Sequence, residues 1–142
     1  MRVYLDNCCY NRPFDDQSQL KVLLETLAKL DIQRQMRDGT VEYAWSSVLD
    51  FEISKSEFID RANRIRPWAD GASVNVRVDA TVRLRAKEFE AAGVKPADAL
   101  HVACAEAANC NWFFTVDRGI LNKVQKLTSM RIANPVEFFG DD

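Results

Sequence analysis

Glycine, proline and histidine are scarce: the 142 residues hold 5, 4 and 1 of them. No stretch gathers Pro, Gly or Ser into a linker, and no internal repeat divides the chain. One domain spanning residues 1–142 is therefore expected, long enough to bury a core of its own. An apolar run able to span a bilayer is also missing. The nearest candidate, Ala99 to Val116, carries His101, Glu106 and two asparagines. Met1 leads straight into Val3-Tyr4-Leu5 and then Asp6, which is not the pattern of a secretory leader. A soluble, cytoplasmic chain without membrane contact is the expectation.

No sign of charge dominates: 19 Lys and Arg stand against 21 Asp and Glu, for a net charge of −2. Proteins that hold nucleic acid by electrostatics alone are usually basic. The balance argues against a bulk polyanion-binding surface and leaves a metal-bridged site open. The four cysteines, Cys8, Cys9, Cys104 and Cys110, lack the paired spacing of a zinc site. They read as reduced thiols, Cys104 serving as a small apolar residue within a helix.

What is present alternates. Arg2 to Leu5 is a short β-branched and aromatic run that ends at Asp6-Asn7, and it reads as a strand. A long polar loop through Pro13 follows. Gln19 to Arg37 then carries Leu20, Leu23, Leu24, Leu27 and Leu30 on one helical stripe, and Gly39 marks its stop. Val41 to Trp45 is a second strand. Ser47-Val48-Leu49-Asp50 has the spacing of a capping box for a helix running toward Arg64. Val74, Val76 and Val78 alternate with polar residues in a short half-buried or edge strand. Asp79 caps a helix to Ala92, and Pro96 opens another. Trp112 to Val116 and Met130 to Ala133 complete the strands. Strands and helices in alternation imply an α/β fold, a three-layer α/β/α sandwich with a mostly parallel central sheet.

In an open parallel sheet, ligands bind beyond the carboxyl ends of the strands. Asp6 directly follows the first strand and Asp117 the Trp112–Val116 strand. Asp98 sits in the first turn of its helix, where the positive dipole end favours an ionised carboxylate. Glu52 lies in the helix after the second strand and can point back over the same edge, although Asp50 is near enough to compete for that role. Two unit charges about 4 Å apart repel by roughly 4 kcal/mol at an effective dielectric of about 20. A cluster of such groups must take up protons, Arg or Lys partners, or a hard divalent cation. Mg2+ and Mn2+ suit carboxylate and water ligands, and the chemistry they support is phosphodiester hydrolysis.

Four ordered pieces carry a resemblance. They are Val3-Tyr4-Leu5-Asp6-Asn7, Ser46-Ser47 followed by Glu52, Pro96-Ala97-Asp98-Ala99-Leu100-His101-Val102-Ala103, and Phe114-Thr115-Val116-Asp117. Together, from residue 3 to about 133, they resemble the PIN domain family, which is similar to VapC-type ribonuclease toxins. The resemblance implies that Asp6, Glu52, Asp98 and Asp117 are both catalytic residues and ligands of Mg2+ or Mn2+. It implies that Asn7 and Thr115 hold those carboxylates or a water on the metal. RNA is the implied substrate, an antitoxin protein the implied partner if the chain is a toxin, and a homodimer a candidate assembly. The stretch Cys8 to Asp16 departs from the toxin pattern. Within it, Tyr10 is a candidate to stack on a base and Arg12 to meet a phosphate.

Bland alternatives stand beside these assignments. Asp6 and Asp117 taken singly are ordinary turn aspartates. The lone His101, three residues past Asp98, suits a hydrogen-bonded core position better than a base. Arg61, Arg64, Arg66, Arg77, Arg83 and Arg85 fall on three elements and suit a solvated surface better than an RNA track. A PIN-fold RNA-binding module without catalysis is the competing function. A haloacid-dehalogenase-type phosphohydrolase is set aside, because it wants a second Asp two residues after the first and Cys8 stands there.

Overall fold

The computed structural model describes residues 1–141; residue 142, the last of the expected single domain, lies outside them. Five strands form one sheet: β1 (Arg2–Leu5), β2 (Glu42–Ser46), β3 (Val74–Val76), β4 (Trp112–Phe114) and β5 (Arg131–Ala133). Their order is β3-β2-β1-β4-β5 and every pairing is parallel. β1 is the central strand. Val3, Tyr4 and Leu5 are all fully buried, which requires cover on both faces of the sheet.

Register shows what covers each face. Tyr4 pairs with Phe113, and their rings stack at 5.4 Å on the face that also meets His101. His101 belongs to α6 (Pro96–Ala107), against which α5 (Ala80–Ala91) packs. Leu5 pairs with Phe114 on the opposite face, where Phe114 and Trp112 meet Phe138 edge-on. Phe138 lies in a terminal 3-10 segment, Pro135–Asp141, that packs on α2 (Leu20–Asp38). The three-layer sandwich thus follows from alternation along two central strands.

Local signals set most element boundaries. Gly39 ends α2 at φ 78°, a conformation that costs glycine little. Asp79 caps α5 by accepting from the Val82 N–H at 2.8 Å. Pro96 opens α6 at its first turn.

Three expectations need correction. The helix starting near Ser47 does not run unbroken toward Arg64. It is two helices, α3 (Ser47–Ser54) and α4 (Ile59–Ile65), and the cap is Ser46, whose Oγ accepts from the Leu49 N–H. The stretch after Asp6 is not a loop but α1 (Asn7–Asn11) followed by a 3-10 turn at Arg12–Phe14. Further on, α7 (Arg118–Val124) follows Asp117 directly.

The leucine stripe of α2 faces outward. Leu20, Leu23, Leu24, Leu27 and Leu30 are exposed, whereas Glu25, Thr26, Ala28, Lys29, Ile32, Gln33 and Met36 are buried. The two inward charged groups find partners, whereas the buried Gln33 Nε2 has none among the described residues. Glu25 accepts from Arg12 at 2.7 and 3.0 Å and from Asn134, and Lys29 donates to the Tyr10 carbonyl at 3.4 Å. No helix among the described residues is long and apolar enough to cross a membrane.

Candidate active site

All four predicted carboxylates line one cavity of about 280 Å3 at the carboxyl edge of the sheet, together with Asn7, Cys8 and His101. Each reaches it by a different local device. Asp6 ends β1, hydrogen-bonds its N–H to the Phe114 carbonyl, and caps α1 by accepting from the Cys9 N–H at 3.1 Å. Asp117 caps α7, its Oδ1 accepting from the Gly119 N–H at 2.8 Å. Glu52 projects from α3 and Asp98 from the first turn of α6.

Burial dominates the electrostatics of the site, and neighbouring carboxylates add to it at Asp98. Burial pushes the Asp98 carboxyl above its ordinary value; nearby Asp6 adds to this, His101 opposes it, and Asp117 and Glu52 add again. Burial likewise pushes Asp6 up, in spite of bonds from the Cys8 thiol, the Thr115 hydroxyl and the Cys9 N–H that favour its ionised form. Thr115 also accepts from the Asp117 N–H at 3.0 Å, so one hydroxyl ties the two strand-end aspartates together. Asn7 contributes its first-turn position, where its carbonyl and side-chain oxygen hold the Asn11 amide at 2.9 and 3.0 Å.

Glu52 is held by a chain of buried groups that the sequence alone did not reveal. The His101 ring is almost fully buried, with Nε2 on Glu52 and Nδ1 2.6 Å from the Tyr4 hydroxyl. The Tyr4 hydroxyl lies 2.7 Å from Ser46 Oγ, which accepts from the Leu49 N–H. Donation in one direction, Leu49 to Ser46 to Tyr4 to His101 to Glu52, gives every member a partner. Burial raises the Tyr4 phenol well above its ordinary value, so it remains a donor. His101 is thus the hydrogen-bonded core histidine expected from its setting, and its Nε2 holds Glu52. The competitor Asp50 is turned away: its Oδ1 accepts from the Trp45 indole at 2.8 Å.

Two candidates for RNA contact do not reach a ligand. Tyr10 is fully buried with its ring edge-on to Trp45 at 5.3 Å, because α1 folds it into the core. Arg12 spends its guanidinium on buried Glu25 and on Asp15, tying the 3-10 turn to α2. Two of the arginines expected at the surface are similarly engaged, Arg61 with Asp15 and Arg85 with Glu88 and Glu106.

The donor set fits a hard divalent cation. Oxygen donors surround a half-open cavity, and Mg2+ keeps several waters while using only one or two protein carboxylates directly. The carboxylates therefore need not close to direct-ligand spacing with one another. Among the described residues, the donor atoms that do lie within 4.8 Å of one another are those of Asp6, Cys8 and Cys9.

A parallel α/β/α sandwich that gathers four carboxylates around one cavity at its carboxyl edge, Asp6 buried, Glu52 and Asp98 half-buried and Asp117 exposed, defines a class of acidic-site domains. Within that class the chain belongs to the PIN domain family, whose match covers residues 22–127. That span includes Glu52, Asp98 and Asp117 and begins after Asp6. The fold is similar to the crystal structure of VapBC2 from Rickettsia felis bound to a DNA fragment from their promoter. The likeness has a TM-score of 0.54 at 18% identity, over 94% of this chain and 98% of that one. None of the curated proteins compared with the chain matches it.

Proposed function

We propose that the chain is a divalent-metal-dependent endoribonuclease and the toxin of a toxin–antitoxin pair. The observation that carries this reading is the convergence of Asp6, Glu52, Asp98 and Asp117 on one cavity, where burial raises the Asp6 and Asp98 carboxyls from their ordinary value. A bound Mg2+ or Mn2+ supplies charge to neutralise a phosphoryl oxygen and lowers the pKa of a water. Asp6 and Asp98, the pair whose repulsion is clearest, would hold the cation. Asp117 and Glu52 border the same space and are placed to accept the proton of an attacking water. The Tyr4–His101 chain fixes Glu52 for that work, and Thr115 fixes Asp6 and Asp117.

RNA approaches a chain of net charge −2, and a bound cation would offset the phosphate charge at the cut. Cleavage of single-stranded RNA is expected to require Mg2+ or Mn2+ and to stop with chelator. Asp98→Asn is expected to lower it by roughly 100-fold or more while the far-ultraviolet spectrum is unchanged. Full activity in repurified Asp98→Asn would refute the assignment, and metal-free binding of RNA without cleavage would favour the RNA-binding module instead.

The partner surface belongs to the same reading. Two of the exposed leucines of α2, Leu20 and Leu24, line a groove of about 660 Å3 together with Leu121 and Val136. This groove shares Val116 and Asp117 with the acidic cavity. An apolar helical segment of an antitoxin seated there covers the leucines and reaches the mouth of the site, which is what an inhibitor must do.

A further inference from the structure

We propose that Asp6, Cys8 and Cys9 form a thiophilic metal site built into the edge of the carboxylate cavity, with Zn2+ as its natural class of ligand. The donor atoms of these three side chains all lie within 4.8 Å of one another. The Cys8 Sγ sits 2.7 Å from Asp6 Oδ1 and 3.7 Å from Thr115 Oγ1, and it lines the same cavity as the four carboxylates. Cys9 lies just behind it, its thiol directed at the Phe114 carbonyl at 3.3 Å. Tetrahedral Zn2+ places its ligand atoms roughly 3.5–3.8 Å apart, given bonds of about 2.0–2.3 Å. To meet that spacing the Cys8 Sγ and Asp6 Oδ1, now 2.7 Å apart, would have to separate, and the cavity that these two residues line can supply water as the fourth ligand.

The arrangement is local by construction. Asp6 caps α1, and both cysteines lie in that five-residue helix. All four cysteines are free, and Cys104 and Cys110 are buried away from the triad. Thiolate donors select Zn2+ over Mg2+ by softness, and each thiol gives up its proton to solvent as the metal binds. Asp6 is common to both sites. On the nuclease reading, Zn2+ at the triad competes with Mg2+ for the Asp6 carboxylate and lowers activity.

Co2+ serves as the spectroscopic probe, titrated into reduced full-length protein. A sulfur-to-cobalt charge-transfer band is expected in the wild type, displaced by Zn2+ and not by a large excess of Mg2+. Cys8→Ser and Cys9→Ser are each expected to weaken the band and lower Co2+ affinity at least tenfold, whereas Cys110→Ser leaves both unchanged. Thermal melts establish that each variant is folded. Absence of the band in wild type, or an unchanged band in folded Cys8→Ser, overturns the proposal. Mg2+-dependent RNA cleavage by the same wild-type preparation is scored separately. Cleavage without a band removes only the thiophilic site, and a band without cleavage removes only the nuclease reading.

Discussion

Asp6 has two duties that pull in opposite directions. Its side chain caps α1, yet its charge sits in a buried place where the proton is held more tightly than in the unfolded chain. A carboxyl with a raised folded value makes ionisation unfavourable to folding. Its contribution is complete while both states are protonated and is lost as pH climbs from the ordinary carboxylate range through the raised folded value. Asp6→Asn keeps an oxygen for the Cys9 N–H and removes the charge. With chelator present, this variant is expected to melt above wild type near neutral pH, by about 4 °C for each kcal/mol recovered. The gap should close as pH falls below the ordinary carboxylate range. Mg2+ should narrow it as well, because the ion binds only the folded wild-type site tightly. A chelated Asp6→Asn that melts below wild type at every pH would mean the carboxylates are balanced by cationic neighbours. Tyr4→Phe probes the other end of the site. It strips the hydroxyl that joins His101 Nδ1 to Ser46 Oγ in a fully buried place. Urea unfolding is expected to report a loss of about 1–3 kcal/mol, with slower RNA cleavage as Glu52 loosens.

Among the elements, α2 separates what a sequence pattern says from what it leaves open. Its leucines repeat at helical spacing, which identifies the helix and its apolar stripe. Spacing cannot say whether the cover comes from the same chain or another. The buried side is set by long-range partners, Arg12 and Asn134 for Glu25 and the Tyr10 carbonyl for Lys29, none visible as local periodicity. Two substitutions distinguish the faces. Ile32→Ala should cost about 2–5 kcal/mol, whereas Leu24→Glu should stay within about 0.5 kcal/mol in the isolated chain. Denaturant melts give both numbers, and a reversed order would overturn the orientation of the helix. If a small antitoxin-like reading frame lies beside this gene, Leu24→Glu should break the complex that wild type forms with its product on co-expression. A wild-type chain that dimerises through these leucines would instead run as a dimer on a sizing column, and Leu24→Glu as a monomer. The short elements were illegible for a different reason. At five residues α1 has no room for a period, and its one local signal was Asp6 itself acting as a cap. A loop there would leave Tyr10 and Arg12 free to meet RNA; instead α1 buries Tyr10, and the 3-10 turn pairs Arg12 with Asp15 and Glu25. By contrast, Pro96 with Asp98 and Asp79 before α5 are contiguous start signals, and those helices were readable.

In the molecule as a whole, parallel strand order does the gathering. With β1 between β2 and β4, the ends of three adjacent strands deliver Asp6, the α3 residue Glu52 and Asp117 to one edge, and α6 adds Asp98 beside them. That convergence was legible because strand-end position survives without coordinates. The Tyr4–His101–Glu52 chain was not, because it joins residues 97 and 49 positions apart through side-chain geometry alone. The central claim is that this edge hydrolyses RNA with water and a divalent cation. Analysis of the cleaved ends tests it most directly. An attack by water leaves linear phosphate and hydroxyl ends; attack by the ribose 2′-hydroxyl leaves a 2′,3′-cyclic phosphate. Repurified protein with Mn2+ is expected to yield linear ends only, with none after chelation and none from Asp98→Asn. Cyclic phosphate ends, or cutting that persists in chelator and in Asp98→Asn alike, would contradict it.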